Sequence, residues 1–316
     1  MTNRQKFLIL IALTVLACLL SLFLGITKDN IGYFLPKRAT KIFAIAICSY
    51  CIAYASISFQ TITNNNILTP SVIGLDSLYM FVQTFIVYFF GSKTLNMLTG
   101  YSNYFLSIGF MLFFSFILFF VLFLKEKKNL YFLILCGMVL GTLFDGMSTF
   151  MQVILDPNEF LILQGKMFAS FTKVNEELLF VSFLIILCIF FITLKDSKKL
   201  DVLCLGKEQA INLGIDYNKF ILKNLIVITV LTSVSTALVG PITFLGILVA
   251  SLSQQIVNTY KHTYRIFCGF LIGCFSLVFG QFLVERVFNF STTVSTIINF
   301  IGGIYFIYLI LKEAKK

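Results

Sequence analysis

The sequence predicts an all-α polytopic membrane protein, a bundle of about ten transmembrane helices with both termini on the cytoplasmic side. Composition is the first reason. Of 316 residues, 59% are hydrophobic and 12% charged, and the mean hydropathy is +0.95. A soluble domain carries about 25% charged residues, so a chain this apolar belongs in a bilayer. Length is the second reason. Apolar runs of roughly 20 residues recur, which suits helices and not the ~10-residue alternating segments of a β-barrel. The placement of Lys and Arg is the third.

The runs lie at 6–26, 41–61, 72–91, 104–124, 130–153, 177–194, 221–239, 241–257, 265–284 and 295–311. The first opens on a basic segment and continues to Gly25 without a small-x-small cleavage site, so it reads as a retained helix. The third and eighth are short and follow Pro70 or begin at Pro241, so the count is eight to ten. No internal repeat and no linker divides the chain, which predicts a single transmembrane domain over 1–316. The longest polar insertions are 154–176 and 195–220. In the second, Leu205, Ala210, Leu213 and Ile215 are expected to share one apolar face, punctuated by Gly206 and Gly214. That describes a short amphipathic hairpin at the membrane surface.

Orientation follows from the basic residues. With the N-terminus inside, the inner segments hold Arg4, Lys6, Lys125, Lys127, Lys128, Lys195, Lys198, Lys199, Lys207, Lys219, Lys223, Lys261, Arg265, Lys312, Lys315 and Lys316. The outer segments hold Lys28, Lys37, Arg38, Lys41, Lys93, Lys166, Lys173 and Arg286. A two-to-one bias favours N-in and C-in. The net charge of +10 is read as membrane anchoring, with no nucleic-acid partner.

Catalytic signatures are missing. Gly206-Lys207 and Gly165-Lys166 lack the upstream glycine and following hydroxyl of a phosphate-binding loop. The single histidine, His262, reads as a solvated loop residue beside Lys261. Most of the eight cysteines, including Cys48-x-x-Cys51, lie in apolar runs and read as small hydrophobes. No enzyme activity, metal or cofactor is expected. Ionisable residues within spans are costly and suggest function. Asp76 follows Gly74 at a span start, Asp145 is expected to be the most deeply buried, and Glu285 is placed at the interface beside Arg286. One central Asp is not the series that an ion relay needs.

Gly240-Pro241 must break the apolar run, because Pro lacks an amide hydrogen and Gly forms helices poorly. The break reads as a broken helix beside a translocation path or as a turn between spans. The uncharged polar stretch TNNNILTPSVIGLD (Thr63–Asp76) reads as a pathway lining or a re-entrant segment.

These stretches carry a resemblance. FLPKRATKIFAIAICSYCIAYASISFQTITNNNILTPSVIGLD is similar to R-L-P-R, a span, then N-P-L-A-x-P-x-x-L-G, with Pro36, Lys37, Asn65, Pro70 and Gly74 in place; Phe34 and Asn66 depart. LQGKMFASF resembles an outer segment. LGKEQAINLGIDY resembles L-G-x-x-x-A-x-x-L-G, with Leu205, Gly206, Ala210, Leu213 and Gly214 in place. GPITFLGILVASLSQQ resembles G-x-I-x-F-x-G-L-x-x-P-H-x-x-R through Gly240, Ile242, Phe244 and Gly246; Ala250, Ser251 and Gln254 replace Pro, His and Arg. The chain thus resembles FecCD/BtuC-type permeases, which import iron–siderophores, haem or cobalamin in ATP-binding-cassette (ABC) systems.

The resemblance implies a BtuC-like bundle of ten helices working as a homo- or heterodimer in the bacterial cytoplasmic membrane, surrounded by lipid. Leu205, Gly206, Ala210, Leu213 and Gly214 would grip an ABC ATPase subunit. Lys37, Arg38 and Arg286 would meet an extracytoplasmic siderophore-binding protein. Gly240, Pro241, Phe244, Gly246, Gln60, Asn64, Asn65, Pro70 and Gly74 would shape a gate or pathway. The implied function is ferric-siderophore import, with haem or cobalamin as alternative cargo. An ion-coupled secondary transporter is the rival class; it would show intramembrane charges on several spans and inverted repeats.

Overall fold

A computed structural model describes residues 3–24, 31–97, 100–124, 130–172, 174–257 and 259–313. Lys28, Lys125, Lys127, Lys128, Lys173, Lys315 and Lys316, used above to orient the chain, lie outside the described residues. Among the described residues the chain is all-helical. The helices are α1 (Asn3–Phe23), α2 (Ile31–Thr63), α3 (Leu75–Met97), α4 (Tyr101–Leu124), α5 (Leu130–Ile154), α6 (Pro157–Met167), α7 (Glu176–Leu203), α8 (Lys207–Asn212), α9 (Tyr217–Val239), α10 (Leu245–Ile256), α11 (His262–Arg286) and α12 (Val294–Glu313). A 3-10 turn, Pro70–Ile73, precedes α3.

Eight of the described helices, α1, α2, α4, α5, α7, α9, α11 and α12, are long and apolar enough to cross a membrane. Two apolar stretches are shorter: Leu75–Gly91 within α3 and Leu245–Ile256, which is α10. These are the two runs whose length was weakest in the sequence. α3 bends at Gly91, where φ is 77°.

α2 and α11 form the axis of the bundle. α2 buries Cys48, Cys51, Ala55 and Phe59 completely, and both thiols are free. Gly269 and Gly273 of α11 press onto α2, close to Ala53 and Ser49. Without water between them, membrane helices associate through close packing and polar contacts, and a small-x-x-x-small face allows both. Polar contacts link other helices. Tyr54 donates to Asn224 at 2.9 Å, the Tyr104 and Ser182 hydroxyls meet at 2.8 Å, and Gln83 donates to Ser107 at 2.9 Å and to Asn103 at 3.1 Å. α1 lies outside the core, with Leu8, Leu16 and Phe23 exposed.

Side-chain contacts define two ends. At one, Lys6 of α1 donates to the Ile256 carbonyl of α10 at 3.0 Å, and His262 of α11 meets Asp201 of α7. α8 lies at this end. At the other, Arg286 of α11 donates to the Leu24 carbonyl at 2.6 Å, and Ser170 pairs with Val239 through its amide at 2.9 Å. The N-terminal end of α1 and the 195–220 insertion therefore share one end of the bundle.

Asp145 departs from expectation. It is exposed on α5, one turn beyond Gly141 on the face where Gly137 and Gly141 meet Ile73 and Gly74, and it accepts from Ser77 at 2.9 Å. Glu285 does not pair with its neighbour Arg286. It pairs with Lys41 of α2 and accepts from Gln281 at 2.6 Å.

Candidate functional site: a surface hairpin, a break within the bundle and a basic cleft

The hairpin at the α8 end is held from beneath. Ala210 is fully buried, while Leu205, Ile211 and Leu213 are exposed. The expected single apolar face therefore splits. Ala210 and Ile215 pack on the core, and Leu205 and Leu213 point away from it. The backbone explains the split. α8 ends in a Schellman motif, with Gly214 N–H on the Ile211 carbonyl at 2.9 Å and Ile215 N–H on the Ala210 carbonyl at 3.0 Å. Gly214 takes φ 82° to close it, which folds Ile215 back beside Ala210. Gly206 takes φ 103° at the start of α8. Asp216 then caps α9 by accepting from the Lys219 amide at 3.3 Å. Leu205, Ile211 and Leu213 thus leave an exposed apolar knob on a polar hairpin.

The same hairpin is tied to the bundle by charged and polar groups. Lys223 of α9 pairs with buried Asp196 of α7 at 2.7 Å. His262 is fully buried, contrary to its reading as a solvated residue. Its backbone amide and Nδ1 meet Asp201 Oδ1 at 2.6 and 2.7 Å, and its Nε2 meets the Thr61 hydroxyl at 2.8 Å. Sequence distance hid this cluster: 61, 201 and 262 carry no shared motif.

The residues expected to shape a pathway fall into two groups. Gln60, Asn64 and Asn65 end α2. Asn64 adopts φ 49°, the Asn65 amide donates to the Gln60 carbonyl at 3.1 Å, and Asn65 Oδ1 accepts from the Ile67 amide at 2.9 Å. Gln60 is buried and donates to the Asn66 carbonyl at 2.6 Å. Pro70, Gly240 and Gly246 come together with Ser56, Asp76 and Thr236 around a small cavity of about 30 Å³. This is room for about one water. The cavity lies beside Ile52 and Ser56, within the length of α2 and not at its end. Both chain breaks thus enter the bundle and meet there. Thr236 of α9 donates to Asp76 across it at 3.4 Å.

Glycines set this junction. Gly74 has φ 84°, and an added Cβ would lie 2.8 Å from the Gly141 Cα. Gly240 has φ 104°, and an added Cβ would lie 3.0 Å from the Ala169 Cα. Gly246 faces the Ser56 hydroxyl, Phe244 packs on Gly302, and Pro241 is half-buried without lining the cavity. The pairs Gly137/Gly141 and Gly269/Gly273 were legible as G-x-x-x-G, a signal the reading of the sequence passed over.

At the opposite end Lys37, Arg38 and Arg286 line one cleft of about 520 Å³, together with Lys41, Glu176 and Glu285. Four cations face two carboxylates. The roles differ within it. Arg38 donates to the carbonyls of Ser21, Leu22 and Leu24 at 3.2, 2.9 and 3.0 Å, and Arg286 also reaches Leu24. Both cap α1, where an arginine also suits the negative end of the helix dipole. Lys37 stays on its own helix, hydrogen-bonded to Tyr33 and over its ring.

Two breaks within the bundle, a hairpin with an exposed apolar knob at one end and a basic cleft at the other suit a transport subunit. The family model described as the FecCD transport family matches residues 6–312. The chain belongs to the FecCD transport family. The petrobactin import system permease protein YclO of Bacillus subtilis (strain 168) is 49% identical over 316 residues, covering all of both chains. The petrobactin import system permease protein FatC of Bacillus anthracis is 35% identical over 98% of this chain and 90% of its own. Among solved structures, a metal-chelate type ABC transporter in an inward-facing conformation aligns with a TM-score of 0.82 and 23% identity, covering 98% of this chain and 100% of that one. That likeness fixes the fold.

Proposed function

We propose that the protein is the permease subunit of an ABC importer that carries a ferric siderophore of the petrobactin type across the bacterial cytoplasmic membrane. The observation that carries the cargo is the similarity to the Bacillus subtilis import permease over the whole of both chains. The geometry supports the division of labour. Leu205, Ile211 and Leu213 offer an apolar grip to an ATPase subunit at the α8 end. The basic cleft faces a siderophore-binding protein, with Lys37 as the cation least committed to the fold. α3 and α10 complete ten crossings as short spans, with N- and C-termini inside, and the chain is one transmembrane domain pairing with a second permease.

The permease moves no bonds. ATP binding and hydrolysis on the partner shift it between two states, and the work comes from differential contacts in those states. The junction around Gly240 and Asp76 is the place where two chain breaks can change their packing without breaking a regular helix.

The test is uptake of radiolabelled ferric petrobactin by cells with and without this chain, beside haem and cobalamin as comparison cargoes. Loss of petrobactin uptake alone is the expected result. Undiminished uptake in the deletion refutes the cargo. Uptake abolished by a protonophore, yet retained without the ATPase, would favour an ion-coupled carrier.

A further inference from the structure

The imidazole of His262 joins three elements that the chain keeps far apart. It sits at the first position of α11, fully buried. Asp201, on the last turn of α7, leads directly into the docking hairpin. Thr61, on the last turn of α2, leads directly into the segment that returns to Pro70 and the inner cavity. Asp201 Oδ1 receives both the His262 amide and Nδ1, and Thr61 stands at Nε2. An ionised carboxylate only accepts, so Nδ1 carries hydrogen. The Thr61 hydroxyl stands 2.8 Å from Nε2 and 3.0 Å from the Ile57 carbonyl of its own helix, with one hydrogen for the two, and Cys204 Sγ lies 3.9 Å from the same nitrogen. Arg265, one turn along α11, is within electrostatic reach of Asp201.

Apolar contacts between α7 and α2 can slide. A directed hydrogen-bond chain cannot, because each bond is lost within about 1 Å of displacement or ~60° of misalignment. We infer that His262 is the positioning residue that transmits movement of the ATPase-bound hairpin to α2 and its returning segment, through Asp201 on one side and Thr61 on the other. This rests on the ABC permease reading above. His262 touches neither cargo nor ATP; it acts through the two helices it joins.

The test uses the full transporter, with its ATPase and binding protein, in proteoliposomes, measuring cargo moved per ATP hydrolysed. Thr61→Val keeps the shape of the side chain and removes only the hydroxyl. It is expected to lower cargo per ATP about tenfold, the loss expected of one directed hydrogen bond to an imidazole, with ATPase association and complex yield unchanged. His262→Ala is expected to lower the ratio at least as far, and Thr61→Val added to it to lower it no further. His262→Asn keeps a donor toward Asp201 and is expected to remain better coupled than His262→Ala.

Wild-type cargo per ATP in Thr61→Val overturns the inference while leaving the transport reading intact. So does a parallel fall in uptake, ATP hydrolysis and complex yield, which marks a merely structural bond. Additive losses in the double variant overturn it as well. A wild-type transporter that moves no cargo with ATP overturns the transport reading, and the inference with it.

Discussion

Replacing Gly240 by Ala perturbs the junction between α9 and α10 with one methyl group. The backbone there has φ 104° and ψ 170°, a region open essentially to glycine alone. Holding another residue in it costs about 1–3 kcal/mol. The added Cβ would also lie 3.0 Å from the Ala169 Cα, 3.2 Å from its nitrogen and 3.2 Å from the Phe168 oxygen. These are backbone atoms, fixed in turn by the Ser170 amide on the Val239 carbonyl at 2.9 Å and the Ala169 amide on Ser295 at 3.1 Å. They cannot rotate away, so overpacking adds about 1–3 kcal/mol. The combined cost is ~2–6 kcal/mol, and at 1.4 kcal/mol per tenfold it shifts the local equilibrium by about 30-fold or more. The assay is thermal unfolding of the detergent-purified protein beside ferric petrobactin uptake. Gly303→Ala is the control, since a Cβ there meets nothing within 4 Å. Equal unfolding temperatures and equal uptake for Gly240→Ala and the control would refute the reasoning.

Other outcomes follow from the same geometry. Leu213→Asp should abolish co-purification of the ATPase while leaving the unfolding temperature unchanged, because Leu213 is exposed in the isolated chain. Arg38→Ala should lower the unfolding temperature, since the Ser21 and Leu22 carbonyls lose their donor at about 1 kcal/mol per bond while Leu24 keeps Arg286, whereas Lys37→Glu should leave it unchanged and weaken binding-protein association in a salt-dependent way. Lys41→Ala should destabilise by about 2 kcal/mol, read by unfolding, and Lys41→Ala with Glu285→Gln should recover part of that loss, because the half-buried carboxylate is no longer left charged and unpaired.

The hairpin and the basic cleft show how far the sequence could be read. Gly206 and Gly214 announced a short helix between two turns, and the structure places α8 between them. The sequence could not divide its apolar residues, because the Schellman closure sends Ile215 inward and leaves Leu213 outside. Lys37, Arg38 and Arg286 were grouped as basic outer residues, and they do line one cleft. That two of them cap α1 depends on where Leu24 ends that helix, 14 residues from Arg38 and 262 from Arg286.

The broken run at Gly240-Pro241 opened the reading of a pathway, and it holds a different kind of information from His262. Hydropathy, proline and glycine act locally along the chain, so the sequence alone determined that the protein is helical, lies in a membrane and breaks its helices near 70 and 240. Tertiary structure alone decided that the two breaks meet at one cavity, that Asp145 stays exposed beside Ser77, and that His262 is buried between Asp201 and Thr61. The physical reason is that a polar side chain's environment is set by partners brought to it by packing. A lone histidine beside a lysine looks solvated until the carboxylate and hydroxyl that satisfy it arrive from helices some 60 and 200 residues away.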